Sequence, residues 1–217
     1  MSPSTDPVLI VAGLLLLTLA PFAVMLTTSY LKLAVVLSLV RNAIGVQQVP
    51  SNIVLNGLAV IFSVFIMTPV ALDTWELLEK HPLPEHVTIV NAADTAAQIK
   101  GPMQQFLAKH AHQQTVRFFL DTARRLWPER AVRALDKDSF AILVPAFTVS
   151  ELTRAFQIGF LLYLPFVTVD IIASNILLAM GMMMVSPSVI SLPFKLLLFV
   201  LMDGWALVVQ GLVLSYR

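Results

Sequence analysis

Cysteine is absent from this 217-residue sequence, which excludes disulfides, thiolate metal sites and thiol catalysis. Charge is also scarce, because Asp, Glu, Lys and Arg make up only 12% of the residues, about half the share of an ordinary soluble domain. With a net charge of +1 and no basic tract, the chain lacks the positive surface that nucleic-acid binding requires. The G-x-S-x-G, H-E-x-x-H and P-loop motifs are missing too, so the sequence predicts neither an enzyme nor a cofactor.

Hydrophobic residues take the place of charge: they form 58% of the chain, and the mean hydropathy is +0.83. They lie in blocks long enough to cross a bilayer, which takes roughly 20 apolar residues per helix. We therefore predict an all-α membrane protein with about four hydrophobic helices in two hairpins, residues 1–72 and 140–217. A small, soluble, helical insert, residues 73–139, joins them. The stretch 140–185 exceeds one crossing, so a kink or tilt is expected there.

The insert carries nine basic and nine acidic residues and is therefore neutral. Pro102 suits the first turn of a helix, and apolar residues follow it at helical spacing: Met103, Phe106, Leu107, Val116, Phe119, Leu120 and Ala123. His110 and His112 diverge around a helix and have no acidic or thiol ligand nearby at a diagnostic spacing. We expect both histidines at the surface, without a metal.

The turns and ends of the hydrophobic segments indicate orientation. Residues 1–7 contain Asp6 but no Lys or Arg, so the first segment is expected to be retained rather than cleaved as a signal peptide. Arg41, Gln47, Gln48 and Pro50 mark the tip of the first hairpin. Basic residues near the two tips, Arg41 and Lys195, predict cytoplasmic tips, with the termini and the insert on the periplasmic side. Kinks are expected at prolines inside apolar stretches: Pro21, Pro69, Pro145 and Pro165.

Several charged residues lie within or beside the hydrophobic stretches, where an unpaired central charge costs at least roughly 2.5–3.5 kcal/mol: Lys32, Glu151, Arg154, Asp170, Lys195 and Asp203. Glu151 and Arg154 are three residues apart and can pair on one helical face, or long side chains can snorkel to the membrane surface. Alternatively, the charges pair between helices or line an aqueous path, which Asp170 and Asp203 favour because neither has an evident local basic partner. An ion- or proton-coupled carrier stays open as well, although no repeated halves support it.

Three consecutive methionines, Met182, Met183 and Met184, close the third hydrophobic stretch. They cannot all face one side of a helix, which favours a helix end or a loop. Methionine is flexible and polarizable, and a ring of such side chains from several subunits can close an opening by excluding water. From the residues alone, ordinary lipid-facing or core packing is the more frequent use of methionine.

Three stretches have distinctive amino-acid sequences and occur in a distinctive order. Residues 29–56 read S-Y-L-K-L-A-V-V-L-S-L-V-R-N-A-I-G-V-Q-Q-V-P-S-N-I-V-L-N, and residues 151–165 read E-L-T-R-A-F-Q-I-G-F-L-L-Y-L-P. Residues 170–205 include G-M-M-M-V-S-P, L-P-F-K-L-L-L-F-V and D-G-W. Together they resemble the R-type export-apparatus protein of type III secretion systems, whose flagellar relative is the P-type export protein. Residues 101–107, G-P-M-Q-Q-F-L, are similar to that family's P-L-x-x-F-M element, with variation.

The resemblance implies a structural, channel-forming subunit of an export gate in the bacterial inner membrane, within the secretion basal body. It implies typically five copies, assembled with S-type and T-type subunits and then with U-type and V-type components. This core is displaced towards the periplasm and admits unfolded substrate proteins. Residues 182–184 would form a gasket that closes the pore, and the charged residues from Glu151 to Asp203 would pair between subunits. The length of the N-terminal region favours a virulence system over a flagellar one.

Overall fold

The structure, a computed structural model, describes residues 7–46, 48–80, 100–133 and 135–217, with the side chains of residues 7–12 and 16 left aside. Gln47, predicted at the first hairpin tip, lies outside the described residues. The helices are α1 (Pro7–Thr27), α2 (Tyr30–Ile44), α3 (Asn52–Lys80), α4 (Gly101–His110), α5 (Gln113–Leu126), α6 (Glu129–Val132), α7 (Phe140–Ala179), α8 (Pro187–Leu201) and α9 (Gly204–Leu214). These ranges contain no strand, and the all-α prediction is confirmed.

Two helices, α3 and α7, are individually long and apolar enough to cross a bilayer. Two bent pairs also qualify when each is taken together: Gly13–Thr27 of α1 with α2, bent by 68°, and α8 with α9, bent by 59°. If each bent pair forms one span, the described chain has up to four spans. The hydrophobic helices are thus the predicted set of about four, two of them broken.

The bend between α8 and α9 lies at Met202 and Asp203 rather than at a proline. Asp203 has a φ of 49°, in the left-handed region that a continuous helix cannot use. The prolines predicted as kinks lie inside helices that continue past them: Pro21 in α1, Pro69 in α3, and Pro145 and Pro165 in α7. Sharp direction changes between these helices therefore coincide with short non-helical breaks.

Helix α2 forms the centre of the bundle. Its buried side chains include Leu33, Val36, Leu37 and Val40, which follow the spacing of one helical face. This face packs against α7, α3 and α8. The outer faces of α3 and α7 stay uncovered; Phe160 of α7, for example, is 65% exposed. Apolar surface of this extent suits contact with lipid or with another subunit.

The insert folds against the first part of α7. Its two main helices, α4 and α5, cover the stretches in which apolar spacing predicted helices. Phe106 and Leu107 of α4 and Val116 of α5 join Ile142 and Phe147 of α7 in one apolar cluster. This docking places the end of α4 beside the charged residues of α7.

Candidate functional site

Glu151 is the centre of a buried ionic cluster. Its carboxylate is shielded from solvent, with 0% exposure. Nη1 of Arg154 donates to Oε1 at 2.9 Å. The other oxygen, Oε2, lies 3.1 Å from Nζ of Lys32 and accepts a hydrogen bond from the hydroxyl of Tyr216. One carboxylate therefore joins α2, α7 and the segment that follows α9.

Lys32 is as deeply buried as its partner, with 1% exposure. Its Nζ also lies 3.5 Å from the centroid of the Tyr216 ring, which adds a cation–π attraction. Burying a charge costs several kcal/mol unless the charge is paired and hydrogen-bonded, and these contacts offset that cost. In the described part of the chain, no buried side-chain nitrogen or oxygen lacks a hydrogen-bond partner.

Arg154 connects this cluster to the insert, because its Nη1 also donates to the backbone oxygen of His110 at 2.7 Å. The expectation that His110 lies at the surface is wrong, since this residue is only 6% exposed. Its ring packs edge-on against Tyr216 and lies 4.8 Å from the ring of Phe106. Phe106 and His110 share one face of α4, and that face docks on α7. His112 is exposed, as predicted.

Acidification is expected to weaken the docking of α4. Burial lowers the pKa of His110 from 6.5 to about 4; the charges of Lys32, Lys109 and Arg154 act in the same direction, and that of Glu151 opposes them. The unfolded chain takes up a proton below pH 6.5, whereas the folded chain stays neutral down to about pH 4. Stability is therefore complete above pH 6.5 and falls towards pH 4. The loss between pH 7 and pH 5 is about 2 kcal/mol.

Thermal unfolding of the purified protein in detergent at these two pH values measures this loss. The variant His110→Gln lacks the titrating ring and is expected to lose most of the difference between pH 7 and pH 5. His112→Gln is the matched control, because His112 is exposed, and it should keep the wild-type difference. An unchanged pH dependence in His110→Gln contradicts the assignment.

A second ion pair links α7 to α8. Nζ of Lys195 lies 2.6 Å from Oδ2 of Asp170, and the hydroxyl of Ser191 donates to Oδ1 at 2.5 Å. Lys195 and Ser191 are one turn apart on α8, so both reach the same carboxylate. Lys195 is buried, with 6% exposure. The basic partner of Asp170 thus comes from the next helix of the same chain.

Asp203 lies apart from both ion pairs. Its carboxylate is exposed and has no hydrogen-bond or ion-pair partner among the described residues. It borders a pocket of about 350 Å³ that is shared with Val46 and Pro50 of the hairpin tip. The described ranges also contain no group of three or more His, Asp or Glu side chains placed to hold a metal.

The tip of the first hairpin is held by Arg41. Its Nη1 donates to Oδ1 of Asn52 at 2.7 Å and to the backbone oxygen of Pro50 at 3.1 Å. Gln48 is exposed, with a φ of 62°. These bonds tie the end of α2 to the start of α3, so Arg41 has a structural partner at this tip.

The three methionines lie in the loop between α7 and α8. Gly181 lies two residues after the end of α7 and has a φ of 73°. Its N–H donates to the backbone oxygen of Leu178, and the N–H of Met182 donates to the backbone oxygen of Leu177. This pair of bonds is a Schellman motif, and Pro187 begins α8 five residues later. Both ends of the loop are therefore fixed. Between them Met182, Met183 and Met184 are 45%, 81% and 101% exposed.

The chain as a whole is similar to a known protein family. The model of the FliP family matches residues 14–212, most of the chain. This chain belongs to the FliP family. The Yop proteins translocation protein R of Yersinia pestis is 50% identical to it over 214 residues, 97% of each chain. The virulence protein YscR of Salmonella typhimurium is 47% identical over 216 residues, 100% of each chain. The hypersensitivity response secretion protein HrcR of Ralstonia nicotianae is 46% identical over 202 residues, 93% of each chain.

Two polar residues complete the ion pairs of this FliP-family chain, but their roles were not predicted from the sequence. Tyr216 lies two residues after the apolar α9, and a buried tyrosine hydroxyl usually finds a hydrogen-bond partner. This position was the only sequence signal for Tyr216. Ser191 precedes Lys195 by one helical turn, a spacing that allows both to bind one carboxylate. Neither signal identifies the carboxylate, because the partners come from other helices.

Proposed function

We propose that this chain is a structural, channel-forming subunit of a type III secretion export gate, through which unfolded proteins cross the bacterial inner membrane. Membership of the FliP family and the names of its relatives, which refer to translocation and secretion, support this function. The names that refer to virulence and to the hypersensitivity response favour a virulence system over a flagellum. The observation that carries the proposal is the methionine loop, which is fixed at both ends and accessible between them.

In this proposal, loops from several copies converge on the pore axis. Side chains such as Met183 and Met184 are among the most exposed apolar groups of the described chain, and burying them against each other removes apolar surface from water. Because methionine has flexible, unbranched side chains, the ring can close without a unique packing and reopen around varied polypeptides. A dry constriction of this kind stops ions and small solutes.

The remaining apolar surface supports assembly into a larger complex. The outer faces of α3, α7 and α8 carry large exposed hydrophobic side chains, more than a lone soluble chain tolerates. We propose that copies of this subunit, five being typical of the family, pack with S-type and T-type subunits along these faces. U-type and V-type components would join later. The assembled core would lie in the secretion basal body, displaced towards the periplasm.

The charged residues divide between two roles in this proposal. Glu151 and Asp170 are both satisfied by cations of their own chain, which supports a role in fixing α2, α7 and α8 within the subunit. These contacts disfavour an ion- or proton-coupled carrier, because a carrier needs a carboxylate that releases its partner. Asp203 has no such partner among the described residues, so it is the carboxylate that we propose to pair between subunits.

The gasket is tested by replacing Met182, Met183 and Met184 together with alanine. We expect the complex to assemble normally, because these side chains support no buried core, and the resting channel to leak small ions. Conductance of the purified complex in planar bilayers measures the leak. The control Met202→Ala removes a methionine that is also exposed, 54%, but lies at the α8–α9 break. Assembled triple-variant complexes that stay as tight as the wild type contradict the proposal.

A further inference from the structure

A basic pocket opens beside the Glu151 cluster, between the end of α4, the middle of α7 and the segment after α9. Its volume is about 410 Å³, and Lys32 lies at its inner wall. Its other lining residues are His110, Ile158 and five with polar side chains: Lys109, Arg154, Gln157, Ser215 and Arg217. We refer to this site as the basic pocket.

The basic pocket has more positive charge than its own anions neutralise. Glu151 is already engaged by Lys32 and Arg154. Lys109 and Arg217 are exposed and form no ion pair within the ranges that the structure describes. Four cations line the pocket, whereas Glu151 is the one side-chain carboxylate that pairs with any of them among the described residues. An anion that accepts several hydrogen bonds would complete this site.

The basic pocket lies where apolar segments of two helices begin or end, which is the level expected for a membrane surface. Arg154 and Gln157 immediately precede an uncharged stretch of α7, residues 158–169, and Ser215 directly follows the apolar α9. The apolar α9 thus ends, and an uncharged segment in the middle of α7 begins, at the same pocket. Basic pockets between membrane helices bind anionic lipid headgroups, mostly on the cytoplasmic side; the orientation predicted above places this pocket on the periplasmic side of the bilayer.

Exposed apolar side chains continue from the basic pocket along the same helices. Arg154, Gln157 and Leu161 follow one face of α7 at spacings of three and four residues. Leu161 is 65% exposed, and Leu214 of α9, next to Ser215, is 55% exposed. A cationic pocket with exposed apolar side chains near its lining residues on both helices matches an amphiphile with an anionic head.

We propose that the basic pocket binds the phosphate group of an anionic phospholipid, whose acyl chains lie along Leu161 and Leu214. Lys109 and Arg217 hold the headgroup at the rim, and Arg154 offers the guanidinium N–H groups that neither Glu151 nor the backbone oxygen of His110 engages. A carboxylate of a neighbouring subunit also carries negative charge and would arrive with the apolar packing proposed above for the outer face of α7, so the test below separates it from a lipid. The lipid satisfies both features at once.

The test uses the protein purified from membranes together with its co-assembled subunits. Complexes stripped of lipid in mild detergent are titrated with phosphatidylglycerol, phosphatidylcholine or inorganic phosphate, and native mass spectrometry counts the bound molecules. The double variant Lys109→Gln with Arg217→Gln should bind phosphatidylglycerol roughly 30-fold more weakly, the effect of removing two cations near an anionic headgroup. Neither residue contacts Glu151, so the fold should be unaffected. Arg125→Gln, an exposed cation of α5, is the matched control.

Selective retention of phosphatidylglycerol by the wild type and by Arg125→Gln, with loss in the double variant, supports the proposal. Equal phosphatidylglycerol binding by all three proteins overturns it. Saturation by inorganic phosphate at concentrations that also displace the lipid shows a general anion site instead. Dissociation of subunits in the double variant, whatever lipid is added, shows that the pocket receives a protein carboxylate and likewise overturns the lipid assignment.

Discussion

Replacing Glu151 with alanine is expected to destabilise the protein by about 3–5 kcal/mol, the usual cost of leaving one member of a buried ion pair without its partner. Lys32 would remain in the interior with 1% exposure and only the ring of Tyr216 as a favourable contact. The hydroxyl of Tyr216 would lose its acceptor as well. Chemical unfolding of the purified subunit in detergent measures the loss, and the yield of assembled complex on native gels should fall with it.

Two double variants separate the contributions of the partners of Glu151. Lys32→Met with Glu151→Gln removes both buried charges while keeping an acceptor for Tyr216, so it should recover most of the lost stability. Exchanging the neighbouring charges, Glu151→Arg with Arg154→Glu, should not, because the arginine would then face Lys32. Recovery by the exchanged pair alone shows that the local helical pair dominates and contradicts the role assigned to Lys32.

This cluster shows how far the sequence could predict the site. The spacing of Glu151 and Arg154 predicted a local pair, and that pair is present in α7. Lys32 lies far earlier in the sequence and approaches the same carboxylate only because α2 packs along α7. Hydrophobic spacing indicates which face of a helix is buried, but not which helix covers it. Long-range partners such as Lys32 and Tyr216 could therefore not be predicted from the sequence.

The fold class and most helix positions could be predicted, because composition and apolar block length restrict a membrane chain to few arrangements. The positions of the bends between helices were harder to predict. Prolines such as Pro165 predicted kinks, yet the 59° bend between α8 and α9 lies at Asp203, whose left-handed backbone has no sequence signature as strong as that of proline. His110 was expected at the surface because it and His112 diverge around a helix and have no further metal ligand at a diagnostic spacing, whereas the docking of α4 buries it.

The close crossing of α2 and α7 leads to the second large expected effect. A Cβ atom on Gly159 would overlap Cδ1 of Leu39 on α2 and would lie 3.1 Å from Cβ of the same leucine. The Cδ1 atom can rotate away, but the Cβ atom moves only with the backbone of α2. Gly159→Leu should therefore push the two helices apart and destabilise the protein by about 3 kcal/mol, at the upper end of typical overpacking costs. It should also weaken the contact between Lys32 and Glu151, because both lie on these two helices.

Chemical unfolding of the purified subunit in detergent measures the effect of Gly159→Leu. Gly57→Leu is the matched control, since Gly57 lies in the hydrophobic α3 and a Cβ atom added there would meet nothing within 4 Å; it should leave stability nearly unchanged. Adding Leu39→Ala to Gly159→Leu should restore part of the loss, because it vacates the space that the new side chain enters. If Gly159→Leu is tolerated as well as Gly57→Leu, α2 and α7 are not held at this distance, and the buried ion pair between them must tolerate separation.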